Sequence, residues 1–261
     1  IIANICAAQF LHENLQCGIF NTHSGFDKKF LENAHNFLLA NLANDENKAE
    51  LQSRYAPENL ATLKGYCQMR HDIEPIEEDY LEFRLRRFLT FAEFKAELAP
   101  HFGLGLNGYA TWTSPIRKYS DMVNHRLIKA HLAGRDFAKP EESVLARLQE
   151  ARRQNRLVER DIADWLYCRY LADKVAEKPE FEAEVQDVTR GGLRVLLLEN
   201  GASMFIPAST LHDNKEEVVI NPDEIAFYVK DQCQYKIGDR IRVQLTDVRE
   251  TTRSIVGTVV K

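Results

Sequence analysis

The sequence predicts an α+β chain: a mostly helical part through about residue 178, then a small five-stranded β-barrel over residues 179–261. Three observations predict it. Apolar residues recur at three- and four-residue steps as far as Lys174. After Pro179 the texture changes to short β-rich runs. Turn signals separate those runs, among them Asn200-Gly201 between two apolar segments. A stretch of this size with about five short strands suits a Greek-key barrel of the OB type.

Composition bounds the function. The 261 residues hold 34 Lys+Arg against 39 Asp+Glu, a net charge of −5, with 44% hydrophobic and 28% charged residues. Such a chain builds globular cores and is not a disordered, collagenous or coiled-coil protein as a whole. No apolar run approaches the roughly 20 residues of a membrane span. The acidic balance argues at first sight against a nucleic-acid binder held by bulk charge. Its distribution argues otherwise. Residues 1–80 carry 6 cations and 12 carboxylates, net −6, whereas residues 81–135 carry 9 and 4, net +5. A local basic patch in an acidic chain points to a site; the alternative is a basic solvated face.

Taken in order, the opening Ile1-Ile2-Ala3-Asn4-Ile5-Cys6 has no initiator Met and no signal-peptide pattern. Ile2, Ile5, Cys6 and Phe10 follow helical spacing, so the chain is expected to open inside a helix, as a piece of something longer would. Helical segments continue with breaks near Gly18, Gly25, Pro57 and Pro75. His101–Trp112 contains three glycines and is either a bulged strand or a place where another backbone or a ligand comes close. Ser114 then reads as a helix N-cap, Pro115 as the first helical residue and Gly134 as the C-terminal stop. Ile116, Tyr119, Val123, Leu127 and Ala130 form the apolar stripe of this helix. A longer helix spans about Glu141–Lys174, with Val144, Leu148, Ala151, Val158, Ile162 and Trp165 as the face that packs across the domain. The predicted strands are Phe181–Val188, Leu193–Leu198, Ala202–Ile206, Ile225–Val229, Ile241–Val248 and a run near Ser254–Val259. The odd set of cysteines at 6, 17, 67, 168 and 233 has no C-x-x-C pair, which disfavours a zinc site or disulfide framework and fits a reducing, cytoplasmic setting.

One motif carries chemistry. In Thr113-Ser114-Pro115-Ile116-Arg117-Lys118-Tyr119, two cations occupy what reads as a first helical turn, where they oppose the helix dipole at about 0.3–1 kcal/mol each. A bound anion would offset that. Backbone N–H groups, the Thr113 and Ser114 hydroxyls and the Arg117 guanidinium would then converge on a phosphate. The alternative is an i,i+4 pair of Arg117 with Asp121. Phe102, Tyr109, Trp112 and Tyr119 lie nearby, and cations interleaved with aromatic rings suit single-stranded nucleic acid. On the long helix, Arg152, Arg156 and Glu159 share a face; Glu159 either holds Arg156 or faces a reaction centre.

The runs His101–Leu104, Tyr109–Asp121 and His125-Arg126, together with Asn155–Asp161, Trp165–Tyr167, Val188–Val195 and Phe205–Pro207, resemble the ribonuclease II family across essentially the whole chain. The resemblance implies the second half of that family's catalytic domain over 1–178 and an OB-fold RNA-binding domain of the ribosomal protein S-one type over 179–261. It implies a monomeric, processive 3′-to-5′ exoribonuclease that releases nucleoside 5′-monophosphates from single-stranded RNA, with magnesium held by aspartates. Arg117 matches the family's catalytic arginine, and Glu159 a glutamate near the 3′-terminal nucleotide. Tyr109, Thr113, Ser114 and Lys118 join them as RNA-contact candidates. In the barrel, Arg190, Arg194 and Phe205 fall where an OB fold binds RNA, with a core position the alternative for Phe205. The family's metal-binding aspartates match nothing here, so the ligands for magnesium are expected upstream and the chain alone is expected to be inactive. The competing reading is a non-catalytic single-stranded RNA-binding module.

Overall fold

The structure is a computed structural model that describes residues 1–76, 79–212, 214, 217–221, 225–230 and 232–260. Two compact units divide it: residues 1–75 with 88–155, and residues 76–87 with 156–261.

The first unit is mainly helical. It contains α1 (Ile2–Phe10), α2 (Leu31–Leu42), α3 (Lys48–Arg54), α4 (Pro57–Leu60) and α5 (Leu63–Ile73). A two-stranded ribbon pairs β1 (Phe20–Thr22) antiparallel with β2 (Glu93–Lys95). The 14-residue helix after the Arg-Lys motif, Tyr119–Leu132, belongs to the same unit. Ala8, Leu11, Leu15, Cys17, Phe20, Ala110 and Leu127 form a core there, with Val123 and Ile128 packed against it. Thr62 starts α5 in the expected way, its hydroxyl accepting the Gly65 N–H at 3.0 Å.

The second unit holds α6 (Asp79–Arg86) and a closed barrel. With Tyr119–Leu132 as α7 and Glu142–Ala172 as α8, the barrel strands are β3 (Glu180–Thr189), β4 (Gly192–Leu197), β5 (Ser203–Pro207), β9 (Arg240–Arg249) and β10 (Ser254–Val259). The short helix α9 (Ala208–Leu211) follows β5. Strand order around the barrel is β10-β5-β4-β3-β9. Alternation fills it: Val185, Leu193, Val195, Leu197, Met204, Ile206, Val243 and Leu245 are buried on the inner face. The expected α+β class with a five-stranded barrel is therefore what the chain forms. One strand differs. Ile225–Val229 yields β7 (Ala226–Val229), which lies between β6 (Val218–Asn221) and β8 (Gln232–Lys236) in a separate antiparallel sheet.

Three further expectations change. His101–Trp112 is no strand: Phe102–Leu104 forms a 3-10 turn, and a Cβ on Gly108 would come within 2.4 Å of Leu98. Neither alternative is met as expected: the strand does not form, and what lies against Gly103, Gly105 and Gly108 is the side chains of His23, Cys67 and Leu98, with Gly105 also supplying a φ of +66°. Helix α7 begins at Tyr119 behind Lys118, not at Pro115 behind Ser114. Ile116 lies outside it and is 102% exposed, so it belongs to no apolar stripe. On α8, Val158, Ile162 and Trp165 are 54, 50 and 39% exposed, while Cys168 and Leu171 are buried. The buried face of its second half is rotated from the one that hydrophobicity alone selects. Among the described residues, no helix is long and apolar enough to cross a membrane.

The β3–β4 turn depends on one glycine. Gly192 has φ +142°, and a Cβ there would sit 1.9 Å from the Ile206 carbonyl oxygen. Gly192→Ala is expected to destabilise the barrel by about 3 kcal/mol or more, read as the loss of urea midpoint; a shift of under about 0.5 kcal/mol would contradict the close approach of β4 to β5 at this position.

Candidate functional site

The Arg-Lys motif forms a turn instead of a helical start. The Ser114 carbonyl accepts the N–H groups of Arg117 at 3.2 Å and Lys118 at 2.9 Å, closing Pro115-Ile116-Arg117 into a turn. Ile116 and Arg117 stand exposed on it. The Arg117 guanidinium forms no hydrogen bond or ion pair with the described residues, so the alternative pair with Asp121 does not form. Asp121 is instead fully buried, at 0% exposure. Thr113 is exposed and Ser114 and Lys118 are half-buried, and the two hydroxyls make no hydrogen bonds with described residues.

What fixes this turn is an unusual face of α7. Ser120, Asp121 and Asn124 are all buried on it. The Asp121 carboxylate accepts the Ser114 N–H at 3.0 Å and the Ser120 hydroxyl at 3.2 Å. Ser120 in turn meets the Thr111 hydroxyl at 3.2 Å. A buried carboxylate without a cation costs several kcal/mol unless hydrogen bonds and nearby dipoles offset it. Here the donors are in place, and the position in the first turn of α7 puts the helix dipole behind them. Asn124 grips the Ile19 backbone from both sides, accepting its N–H at 2.8 Å and donating to its carbonyl at 3.0 Å.

The strand-like approach to the turn is held as firmly. Asn4 donates to the Tyr109 hydroxyl at 2.6 Å and accepts the Trp112 N–H at 3.1 Å. The Trp112 ring stacks on His125 at 3.6 Å and 11°, and His125 Nε2 lies 2.8 Å from the Trp112 carbonyl oxygen. Tyr109 is thus half-buried with its hydroxyl engaged. Sequence reading named none of Asn4, Asn124 or His125 as supports. The available signal was polar residues at helical spacing, 120/121 and 124/125, on a helix that must bury one face.

Two histidines brace the glycine loop. His23 Nδ1 accepts the Gly103 N–H at 2.9 Å, which leaves Nε2 to donate to the Thr90 carbonyl at 3.1 Å. Burial lowers the His23 pKa below its ordinary value, the Thr90 bond partly opposing it. His101 lies 5.6 Å from His23, ring to ring, with its Nδ1 buried and without a hydrogen-bond partner among the described residues. Burial first, then the charge His23 would carry, lowers its pKa too.

In the second unit, Arg194 and Phe205 are direct cross-strand partners of β4 and β5, both on the outer face. Phe205 is 37% exposed and therefore not a core residue. Arg190 is exposed in the β3–β4 turn beside Gly191, over which the Phe205 ring lies. A cleft of about 420 Å³ opens on this face, lined by Arg194 and Phe205 with Phe83, Arg160 and Arg253. Arg253 is paired with Asp161 at 3.3 Å, whereas the Arg160 and Arg194 guanidinium groups make no hydrogen bond or ion pair with described residues. Phe83, Arg160 and Arg253 were not singled out from sequence, because nothing local in their segments marks them. Glu159 is exposed on α8 in this unit and has no partner among the described residues.

The described side chains bring no magnesium site together. Among the described residues, no three His, Cys, Asp or Glu side chains converge for a metal. Asp121, the carboxylate next to the motif, is consumed by Ser114 and Ser120.

Comparison with known proteins places these features. The family model for the RNB domain matches residues 1–134, and that for the S1 RNA binding domain matches residues 174–259. The chain is 78% identical over 261 residues to Exoribonuclease 2 of Haemophilus influenzae (strain ATCC 51907 / DSM 11121 / KW20 / Rd), covering all of this chain and 40% of that protein. It is 68% identical over 259 residues to Exoribonuclease 2 of Pasteurella multocida (strain Pm70), covering 99% of this chain and 39% of the relative. The chain thus spans about 40% of the length of the curated relatives it matches. Among solved structures, apo RNase R of Mycoplasma genitalium is similar with a TM-score of 0.76 at 20% identity, covering 100% of this chain and 40% of that one. The same protein in complex with ribose methylated single-stranded RNA gives a TM-score of 0.75 at 20% identity over the same shares.

The histidine brace predicts a pH dependence. Both folded-state pKa values are depressed, so the unfolded chain binds more protons as pH falls. The stability the pair contributes is complete above the unfolded value of about 6.5 and is lost as pH drops below it. Chemical denaturation between pH 7.5 and 5 is expected to show falling stability that His23→Gln abolishes in part; a flat profile, or histidine resonances titrating at ordinary pH, would contradict the brace.

Proposed function

Because the chain belongs to the RNB family, we propose that it forms part of a 3′-to-5′ exoribonuclease that degrades single-stranded RNA processively to nucleoside 5′-monophosphates. The observation that carries this reading is the Arg117 turn: an exposed guanidinium without a partner among the described residues, on a backbone held by a buried carboxylate. A phosphodiester gathers negative charge on its equatorial oxygens as it is hydrolysed. A guanidinium held ready for that charge stabilises the transition state more than the ground state. On this reading Arg117 grips the scissile phosphate, Lys118, Thr113 and Ser114 line its approach, and Glu159 stands by the 3′-terminal nucleotide. Tyr109 supports the RNA path.

Residues 1–178 are read as part of the catalytic domain and residues 179–261 as the RNA-binding barrel. The match to the S1 RNA binding domain and the pairing of Arg194 with Phe205 support the second assignment. There a phosphate would meet Arg190 or Arg194 while a base stacks on Phe205. The relatives named Exoribonuclease 2 support RNA as the substrate, and the RNase R that shares this fold is known with single-stranded and with double-stranded RNA bound. The magnesium implied for such hydrolysis would take its ligands from outside this chain. A reducing cytoplasm and a monomeric state complete the reading, the former supported by the odd, unpaired cysteine spacing.

Two outcomes test it. The chain alone is expected to release no nucleotides from labelled RNA, whereas the full-length polypeptide does so and loses about 10²–10³-fold in turnover on Arg117→Ala, with RNA affinity little changed. Release by the chain alone would refute the division of the active site, and full-length protein that binds but never cleaves would favour the non-catalytic module. For the barrel, Arg194→Ala is expected to reduce the slope of log affinity against log salt by about 0.7, and Phe205→Ala to cost about 1–3 kcal/mol without changing that slope. Anisotropy titration of the chain with an oligonucleotide reads both; no change in either sinks the assignment of this face.

A further inference from the structure

We infer that Asp121 is a positioning residue for Arg117, acting through the Ser114 backbone; this rests on the phosphate-gripping reading of Arg117. Ser114 is the hinge of the turn. Its carbonyl closes the turn by accepting from Arg117 and Lys118, and its N–H is anchored on Asp121 at 3.0 Å. Both polar groups of one peptide residue are thereby fixed, one to the turn and one to the helix. Asp121 itself cannot wander. It is fully buried, its second oxygen is held by Ser120, and Ser120 is tied to Thr111.

This geometry differs from ordinary helix capping. In a capping box the third helical residue reaches back to the N-cap N–H. Asp121 is the third residue of α7, yet it passes over the N-cap Lys118 and reaches Ser114, four residues further back. The carboxylate therefore secures the base of the displayed turn and not the helix end. Burial of an acid at such cost is explained if the turn must be rigid. A long arginine side chain with no partner among the described residues delivers transition-state stabilisation only when its backbone root is fixed, and a displacement of about 1 Å costs roughly 100-fold in rate.

The role is that of an acceptor, so an amide replaces it. Asp121→Asn keeps an oxygen for the Ser114 N–H and an NH₂ that the Ser120 hydroxyl can accept from. Asp121→Ala removes both.

The test is a kinetic cycle in the full-length polypeptide with a single-stranded RNA substrate. Asp121→Ala is expected to lower kcat about 10–100-fold with KM within about threefold, and Asp121→Asn to recover most of that loss. In an Arg117→Ala background, Asp121→Ala is expected to cost nothing further, because the group it positions is gone. An equal additional loss in that background, or a rise in KM with kcat unchanged, overturns the positioning role and leaves the Arg117 reading standing. Arg117→Ala with undiminished kcat overturns both. Should Asp121→Ala fail to fold, amide hydrogen exchange of the unmodified protein decides: the Ser114 N–H is expected to be protected at least about 100-fold, and exchange at the unprotected rate overturns the inference.

Discussion

A carboxylate buried without a cation partner among the described residues is the constraint on which the candidate site depends. Asp121 accepts one hydrogen bond from the base of the Arg117 turn and one from Ser120, and nothing about it faces solvent. Such a group is tolerable only if its donors are correctly placed, which makes the turn and the helix start a single rigid object. Its neighbours extend the same logic. Asn124 fastens α7 to Ile19, Asn4 fastens the approach at Tyr109 and Trp112, and His125 stacks beneath Trp112. The apolar core of this unit includes Leu11, Phe20, Ala110 and Leu127. Apolar burial supplies the driving force; the polar face of α7 specifies where the backbone goes.

The barrel uses a different device for a similar end. Strand alternation places Leu193, Val195, Met204 and Ile206 inside, and the same alternation forces Arg194 and Phe205 outward as cross-strand neighbours. A cation and a ring are then held side by side by sheet register alone. In both units an exposed cation without a partner among the described residues stands on hydrogen-bonded backbone. That is the arrangement expected of residues that meet a phosphate, because ordering cost is met before the ligand arrives.

Periodicity made the fold class legible: the long helix, the barrel strands and the turn at Asn200-Gly201 all follow from spacing and glycine placement. Periodicity also misled where one pattern served two purposes. Ser114-Pro115 has the chemistry of a helix start, yet the helix begins at Tyr119 and the Ser114 N–H is held by Asp121 from within it. Ile116 fits an apolar stripe by spacing yet is fully exposed on the turn. Val158, Ile162 and Trp165 are a faultless helical stripe that the unit does not bury. Arg117, Arg194 and Phe205 were legible as candidates from residue type and context. Their supports were not: polar spacing at 120/121 and 124/125 hints at a buried polar face, but the partners of Asn4, Asn124 and His23 lie about 70–110 residues away in sequence, and no local pattern names them.

The most direct measurement of the central claim is the side-chain Nε–H resonance of Arg117, followed in the full-length polypeptide as single-stranded RNA is added without divalent metal. If the rigid turn presents this guanidinium to a phosphate, the signal shifts and its exchange with water slows on saturation with RNA. A resonance that stays at its free position and exchange rate, while barrel arginines such as Arg194 respond, would contradict the account.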